Sequence, residues 1–214
     1  MTSKSFTSPL FILMHGLPAA GKSSFARQYA AASRMAHINS DRIRFELYDD
    51  AQFSSSENRM VLRLSVYMAE MLLGQSQPLI FDMNLPSQAM RNEVKSLARR
   101  YGYNFVVVWV QTNEEEAMRR AGARDRRRPD DKYSPAIGPQ LFERVASKSG
   151  QPNPERETVA VISGQQSFAQ QQRLADHRLL SLGFIAGGSL APKGGRVDLG
   201  RRQAANNFYG RNRS

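Results

Sequence analysis

The stretch Gly16-Leu17-Pro18-Ala19-Ala20-Gly21-Lys22-Ser23 fits the pattern G-x-x-x-x-G-K-S/T of a phosphate-binding loop. The apolar run Leu10 to Met14 before it predicts a buried strand. The residues after it, Ser24 to Ala32, have the composition of a helix. The motif therefore lies between a strand and a helix, where backbone amides and the helix N-terminus together form an anion site.

The residue types within this stretch suit the binding of a nucleoside triphosphate. Gly16 and Gly21 permit backbone angles that other residues avoid, which lets amide groups approach phosphate oxygens. Lys22 can reach the β- and γ-phosphates, and the Ser23 hydroxyl can ligate Mg²⁺. The residues predicted to bind ATP here are Gly16, Leu17, Pro18, Ala19, Ala20, Gly21, Lys22, Ser23 and Ser24.

Strand-like and helix-like segments alternate along the rest of the chain. The predicted strands are Leu10 to His15, Ala36 to Asn39, Pro78 to Met83, Phe105 to Val110 and Thr158 to Ser163. This alternation predicts an α/β protein, the three-layer α/β/α P-loop NTPase fold, with a mostly parallel five-stranded sheet. Ligands of such folds bind at the carboxyl edge of the sheet. We assign residues 1–185 to this domain and residues 186–214 to a basic, disordered tail.

Composition restricts the classes of protein to be considered. The chain has 214 residues and no cysteine, which excludes disulfides and thiolate chemistry. No signal peptide is visible, and no apolar run approaches the roughly 20 residues that span a bilayer. We therefore expect a cytoplasmic protein without a membrane partner.

The formal net charge of +11 favours a partner that carries phosphate. Arg119 to Lys132 holds seven basic and three acidic residues, where a nucleotide kinase has its phosphate-binding lid. Pro192 to Ser214 holds six basic residues and one acidic residue, with Phe208 and Tyr209 between arginines. This tail pattern suits single-stranded nucleic acid. A tail without a specific role explains the composition equally well.

Helical spacing and capping residues give further predictions. Glu57 to Leu73 has apolar residues at helical spacing and predicts an amphipathic helix. We expect Met60, Met68 and Met71 of this helix to fill the core rather than to form a ligand surface. Thr112 is the predicted cap of the helix that follows the fourth strand.

The segment Ser40-Asp41-Arg42-Ile43-Arg44 directly follows the second strand. An aspartate at this position can accept the proton of an attacking hydroxyl. Arg44 lies one helical turn after Asp41 on the same face, where it can hold an acceptor phosphate or the transferred phosphoryl group. In the alternative interpretation, Ser40 or Asp41 caps the next helix and Arg44 is solvated. Spacing alone does not separate the two.

Asp82 and Asn84 follow the third strand. An acidic residue beside a phosphate loop can hold Mg²⁺ through water, or it can orient Arg44. A turn residue that caps the following helix is the structural alternative, and Asn84 fits that alternative as well as it fits a functional role.

The arginine-rich helix supplies candidate lid residues. Arg120 and Arg124 are four residues apart and are expected on one face of that helix. Their guanidinium groups can stabilise charge on the transferred phosphoryl group and stack on adenine. Arg127 and Arg128 are weaker candidates because a run of arginines is often solvated.

Four sequence segments together resemble a known family. GLPAAGKSS, INSDRIR, LIFDMNLPSQAMR and RRAGARDRR are similar to the P-loop kinase group of AAA-type domains that includes polynucleotide 5′-kinases. Zeta toxins and chloramphenicol phosphotransferase are more distant relatives of that group. The resemblance covers about residues 9 to 180. One departure is that Ala19-Ala20 replaces the more usual glycine and serine.

The resemblance implies a role for each matching residue. Lys22 and Ser23 would bind phosphate and Mg²⁺. The aspartate after the second strand implies that Asp41 is the general base, and the D-x-x-R pattern adds Arg44. By the same resemblance, the D-x-N after the third strand implies Asp82 and Asn84, and the lid R-x-x-x-R pattern implies Arg120 and Arg124.

These observations predict an ATP- and Mg²⁺-dependent kinase that phosphorylates a hydroxyl group. A polynucleotide 5′-hydroxyl fits the positive charge and the D-x-x-R pattern. A small metabolite, an antibiotic or a nucleotide sugar fits the fold equally well. The rival interpretation is an ATP-binding or ATPase module that has no kinase activity.

Overall fold

Five parallel strands form the centre of the computed structural model, which describes residues 6–186 of the chain. The strands are β1 (Leu10–His15), β2 (Ala36–Asn39), β3 (Leu79–Asp82), β4 (Asn104–Gln111) and β5 (Val159–Ser163). Their order across the sheet is β2-β3-β1-β4-β5, and every neighbouring pair is parallel. The predicted α/β fold is therefore confirmed, with a sheet that is parallel throughout.

Seven α-helices pack around this sheet in the described part of the chain. They are α1 (Lys22–Ser33), α2 (Ser40–Leu47), α3 (Ser55–Gly74), α4 (Gln88–Arg100), α5 (Glu114–Gly122), α6 (Pro139–Lys148) and α7 (Phe168–Ser181). A 3-10 turn, Pro129–Asp131, lies between α5 and α6. None of the described helices is long and apolar enough to cross a bilayer.

The core has two layers because side chains of β1 alternate between the faces of the sheet. Leu10, Ile12 and Met14 pack with residues of α1 and α7. Phe11 and Leu13 pack on the other face with residues of α3 and α4. All six residues of β1 are buried, as expected for the middle strand of a parallel sheet that helices cover on both sides.

The strand register brings several loops to one edge of the sheet. Asn39 pairs with Asp82 at the carboxyl ends of β2 and β3. His15 pairs with Trp109 where β1 reaches its carboxyl end. The loops that follow these strands therefore begin side by side, and this edge carries the phosphate loop.

Two predicted helix caps are wrong, and both corrections affect the site. Asn39 caps α2, because its side-chain oxygen accepts a hydrogen bond from the backbone N–H of Arg42 at 2.7 Å. The predicted cap, Ser40 or Asp41, lies inside the helix. Asn113 caps α5 in place of Thr112. The Thr112 hydroxyl instead donates to the carbonyl oxygen of Ala20 in the phosphate loop at 2.9 Å.

The prediction that the methionines of α3 fill the core is also wrong. Met60, Met68 and Met71 are 52%, 38% and 53% exposed. The buried side of α3 is a narrow stripe of small and medium residues at four-residue spacing, namely Val61, Ser65, Ala69 and Leu73. Leu62, Val66 and Leu72 flank this stripe and pack against the core, whereas the three methionines lie on the outer face of the helix.

The two ends of the described chain meet at the amino edge of the sheet. Phe6 and Ile185 form an isolated antiparallel bridge. The backbone N–H of Thr7 donates to the carbonyl of Phe184 at 3.1 Å, and the Thr7 hydroxyl donates to the carbonyl of Gly183 at 2.6 Å. The predicted basic tail, except for its first residue, lies outside the described residues.

Candidate nucleotide-binding site

The phosphate loop connects β1 to α1 through backbone angles that require glycine. Gly16 has a φ of 142°, and a Cβ atom there would collide with the carbonyl oxygen of Val110. Gly21 caps α1 in the left-handed region, with a φ of 104°. The Lys22 ammonium group donates to the carbonyl oxygens of Gly16 at 2.9 Å and Leu17 at 2.7 Å. These bonds hold the lysine head group across the opening of the loop.

Ala19 is the strained residue of the loop. It has a φ of 56°, in the left-handed region that favours glycine. A non-glycine residue there costs about 1–2 kcal/mol. The side chain of Ala19 packs against the small cluster formed by α5 and α6, so the strained conformation gains a contact.

Asp82 is a buried carboxylate at the carboxyl end of β3. It accepts a hydrogen bond from the Asn39 side-chain amide at 2.6 Å and lies 3.4 Å from His37 Nε2. Burial raises the pKa of Asp82, but contact with His37 and with the Ser23 hydroxyl outweighs burial and holds this pKa below its usual value. Asp82 is therefore a negative charge fixed beside the phosphate loop.

Asp41 lies next to this group with the opposite electrostatic character. Its side chain is half-buried in the first turn of α2. Burial and the nearby charge of Asp82 raise the pKa of Asp41, while the positive charge of Lys22 opposes the rise. Within the described part of the chain the Asp41 carboxylate has no hydrogen-bond partner. It is thus available to a ligand, and its pKa is shifted in the direction expected for a general base.

Lys22 completes the charged group. Burial lowers the pKa of Lys22 to about 8, although the charges of Asp82 and Asp41 act in the opposite direction. The residue as a whole is half-buried. A phosphate ligand would add negative charge here and favour the protonated form.

Arg124 is brought to the same place, but not by a helix. Helix α5 ends at Gly122, so the prediction that Arg120 and Arg124 share one helical face is wrong. Burial lowers the pKa of Arg124, and the charge of Asp41 opposes this effect. The structure therefore places Lys22, Asp41, Asp82 and Arg124 within electrostatic range of one another.

Arg120 lies apart from that group. Its guanidinium donates to Glu116 at 2.6 Å and to the carbonyl oxygen of Gly164 at 2.9 Å. Gly164 follows β5 and comes close to Ala20 of the phosphate loop. Arg120 thus borders the loop on the β5 side, and its predicted contact with adenine stays a prediction.

Arg44 is buried rather than solvated. It donates to Glu57 at 3.2 Å and to the Asn58 side chain at 2.7 Å, and its guanidinium lies 4.6 Å from the centre of the Phe53 ring. Its bonded partner is thus Glu57 of α3, not Asp82. These contacts tie α2 to α3, and binding of a phosphoryl group by Arg44 stays a prediction. Asn84 is exposed.

The segment between α5 and α6, residues 123–138, lies against α2. The Arg126 guanidinium is 4.3 Å from the centre of the Phe45 ring, and the Tyr133 hydroxyl donates to Glu46 at 3.1 Å. These contacts connect the arginine-rich segment to the helix that carries Asp41. The segment is hereafter called the lid.

A buried ion pair beneath the site was not predicted. Arg91 of α4 donates to Glu157 at 2.7 Å and 3.0 Å, and to the carbonyl oxygen of Gly150 at 3.1 Å. Both side chains are buried. A sequence signal for the burial of Arg91, though not for its partner, was available, because Arg91 stands three and seven residues before Val94 and Ala98, two buried residues of the same helix. His37 and Asn39, which contact Asp82, are two residues apart and therefore lie on the same face of β2. That spacing was a sequence signal that the two polar side chains could share a partner.

The oxygen donors of the site fit a magnesium ion that binds together with nucleotide. The described residues contain no group of three or more acidic, histidine or cysteine side chains that could hold a metal alone. The Ser23 hydroxyl and the Asp82 carboxylate lie close together. Magnesium commonly uses one or two such ligands and completes its shell with water and phosphate oxygens.

The fold and the loop together define a P-loop NTPase. The sheet is parallel with the order β2-β3-β1-β4-β5, and the glycine-bounded loop with its lysine lies at the carboxyl edge of that sheet. The chain belongs to the AAA domain family AAA_33, which matches residues 11–138. A search among curated proteins found no match.

Solved structures with the same fold include several P-loop proteins. Kti12 from Chaetomium thermophilum, in complex with ADP-AlF3, has a TM-score of 0.63 at 22% identity and covers 83% of this chain and 100% of its own. A gluconokinase from Sinorhizobium meliloti 1021 has a TM-score of 0.60 at 17% identity, over 82% and 94%. A sugar kinase from Janibacter sp. HTCC2649 has a TM-score of 0.57 at 14% identity, over 82% and 95%.

Proposed function

We propose that this protein is an ATP-dependent kinase that transfers the γ-phosphate to a hydroxyl group of a small molecule. The observation that carries the proposal is the position of Asp41, a carboxylate with a raised pKa beside the lysine of the phosphate loop. A nucleotide-binding module needs no such base. The fold shared with a gluconokinase and a sugar kinase supports a small acceptor over a polynucleotide.

The phosphate loop would hold the triphosphate. Backbone amides of the loop and the Lys22 ammonium bind the β- and γ-phosphates, and the lysine exchanges its two carbonyl partners for phosphate oxygens. Ser23 and Asp82 are the residues that would hold Mg²⁺, which neutralises charge on the phosphates when it is bound. His37 and Asn39 keep the Asp82 carboxylate in place.

Asp41 would accept the proton of the acceptor. The acceptor oxygen forms a bond to the γ-phosphorus as the bond to the β-phosphate oxygen breaks and ADP leaves. The hydroxyl proton passes to the Asp41 carboxylate. Arg124, which lies within electrostatic range of Asp41, would stabilise charge on the transferred group. Arg120, which donates to the carbonyl oxygen of Gly164 beside the loop, would contact the adenine.

Product analysis with γ-labelled ATP tests the proposal. The acceptor panel contains sugars, polyols, aminoglycoside and phenicol antibiotics, nucleosides, and an oligonucleotide with a 5′-hydroxyl. We expect label on a small acceptor, and a loss of about 10²–10³-fold in Lys22→Ala. Label on the oligonucleotide alone would replace the small acceptor by a polynucleotide. Release of phosphate to water with every acceptor would show an ATPase and overturn the kinase proposal.

A further inference from the structure

A cleft of about 870 Å³ lies between α6 and the sheet, on the side of the phosphate loop away from Asp41 and Asp82. Its floor includes His15 of β1, Trp109 of β4 and Val161 of β5, which are paired in register across the three strands. Its wall includes Ser147 and other residues of α6. We call this space the α6 cleft. None of Lys22, Ser23, Asp41, Asp82 and Arg124 lines it.

The α6 cleft exists because α6 packs against α5 and not against the sheet. Phe142, the buried anchor of α6, lies against Ala117 and Ala121 of α5. The helix therefore does not cover the strands below it. Val161 is 46% exposed and Trp109 is half-buried, although residues of a parallel sheet are normally covered on both faces. An uncovered tryptophan inside a concave site is typical of ligand pockets.

His15 adds an unsatisfied polar group to the floor. It is 3% exposed, and its Nδ1 has no hydrogen-bond partner in the part of the chain that the structure describes. Burial and the charge of Arg91 lower the pKa of His15 to about 4, so the ring is neutral near pH 7. A neutral imidazole offers one donor and one acceptor. Hydroxyl groups, which both donate and accept, match it.

The side chains that line the α6 cleft favour an uncharged ligand over an anionic one. It is rich in neutral amides and hydroxyls, including Gln111, Asn113, Ser147, Gln151, Ser163 and Gln165. Its charged members are Glu114 and Glu143, and no lysine or arginine from residues 6–186 lines it. The chain as a whole carries a net charge of +11, so this absence is a local property of the cleft. A phosphate or sulfate group would find carboxylates here and no cation.

We propose that the α6 cleft is a second ligand site, for an uncharged carbohydrate or cyclic polyol. One face of the ring lies on Trp109, and hydroxyl groups bond the amide and hydroxyl side chains and His15. The volume is within the range of about 300–1,000 Å³ found for small-molecule sites. Because Gly16 and Leu17 also line the cleft, the ligand contacts the phosphate loop from the flank that lacks the catalytic group.

Trp109 is the only tryptophan of the chain, so its fluorescence reports on the cleft directly. The full-length protein is titrated without nucleotide with D-glucose, D-ribose, myo-inositol, sucrose, glucose 6-phosphate and AMP. We expect a saturable change with at least one neutral compound. Phosphorylated compounds should bind at least about tenfold more weakly, because the cleft has carboxylates and no cation. Since no phosphoryl transfer is measured, failure of the kinase proposal does not affect the result.

Two exposed serines provide a matched pair of variants. Ser147→Phe fills the α6 cleft from α6, and Ser96→Phe adds the same side chain to the groove between α3 and α4. We expect Ser147→Phe to weaken the neutral ligand by more than about tenfold and Ser96→Phe to leave it unchanged. Val161→Phe fills the cleft from the sheet if Ser147→Phe does not fold. Binding of glucose 6-phosphate as tight as that of glucose would overturn the proposal. So would the absence of any saturating neutral compound, or wild-type affinity in the filled variants.

Discussion

The two flanks of the phosphate loop differ in charge, in packing and in the ligand that each can hold. The β2–β3 flank carries Lys22, Asp41, Asp82 and Arg124, all half-buried or buried and all within electrostatic range of one another. The β4–β5 flank carries the α6 cleft, which has amides, hydroxyls, a neutral histidine and an open tryptophan, and no lysine or arginine among the described residues. One loop therefore borders a site suited to phosphate chemistry and a site suited to a neutral ring.

The difference follows from how each flank is covered. On the β2–β3 flank, α2 and the lid lie over the strand ends and enclose the ionisable groups, which shifts the pKa of both Asp41 and Lys22. On the other flank, α6 packs on α5 and leaves the sheet open. Ionisable side chains that are enclosed have shifted pKa values, which suits acid–base chemistry. An open cleft with neutral side chains suits the binding of a neutral ligand.

The largest expected effect is on the charged flank. Asp41→Asn removes the proposed proton acceptor while keeping its shape, so transfer should fall by about 10²–10⁴-fold. The affinity for ATP should change little, because Lys22 and the loop amides remain. Steady-state kinetics together with equilibrium ATP binding separates the two effects. The matched control is Asp49→Asn, an exposed aspartate just after α2, which should behave as wild type. Normal transfer in Asp41→Asn would leave the charged flank without a base.

The second-largest effect is expected on stability, at the buried ion pair of Arg91 and Glu157. Arg91→Met leaves Glu157 as a buried charge without its partner, which should cost about 3–5 kcal/mol of the free energy of unfolding. Denaturant unfolding measures this loss. Arg100→Met on the same helix is the control, because Arg100 forms an exposed pair with Glu70 at 3.8 Å. Such a pair should contribute less than about 1 kcal/mol. Equal losses in the two variants would show that burial of the Arg91 pair has no energetic role.

The pH dependence of ATP affinity tests whether the pKa of Lys22 on the charged flank is lowered. The pKa of Lys22 lies at about 8 without ligand. Phosphate stabilises the protonated ammonium and raises its pKa, so affinity should be constant below about pH 8 and fall up to about tenfold per unit above it. Titration calorimetry between pH 6.5 and about 9.5 measures the profile. In Lys22→Ala the affinity should be weaker and no longer fall above pH 8. A wild-type profile that stays flat through that range would contradict the assignment.

The smallest expected effect concerns Ala19, the loop residue that packs against the α5–α6 cluster. Ala19→Gly relieves the positive φ of 56°, while it removes a methyl contact and adds freedom to the unfolded chain. We expect a gain of up to about 1 kcal/mol in the free energy of unfolding. Thermal unfolding at matched pH measures this change. Ala31→Gly, at an exposed position inside α1, should instead lose about 1 kcal/mol. A loss in Ala19→Gly would mean that the methyl contact outweighs the strain.

The sheet and the phosphate loop could be predicted because they depend on local patterns. Apolar runs mark buried strands, and a glycine-bounded loop between strand and helix has a fixed geometry. The caps were predicted less well because Asn39 and Asp41 both suit a cap, and only the three-dimensional turn selects between them. That selection matters, since capping by Asn39 leaves the Asp41 carboxylate available to a ligand.

Contacts between side chains that are far apart in the sequence could not be predicted. Arg44 was expected at the acceptor, but Glu57 and Asn58, thirteen and fourteen residues later, bind its guanidinium. Arg91 and Glu157 are 66 residues apart, and no spacing rule connects them. The α6 cleft depends on the direction in which α6 packs, which its own residues do not specify. Asp82 was placed correctly beside the loop because the ends of adjacent parallel strands coincide.

The bridge between Phe6 and Ile185 holds the two ends of the described chain side by side, which is useful for attaching or rejoining them. Both ends of the described chain leave the body at the amino edge of the sheet, on the side opposite the phosphate loop. In a chain limited to residues 6–186, a surface tether or fusion partner attached at either end would therefore leave both flanks accessible. The same proximity suits circular permutation, in which a short linker joins the ends and the chain is reopened at the exposed turn around Gly102.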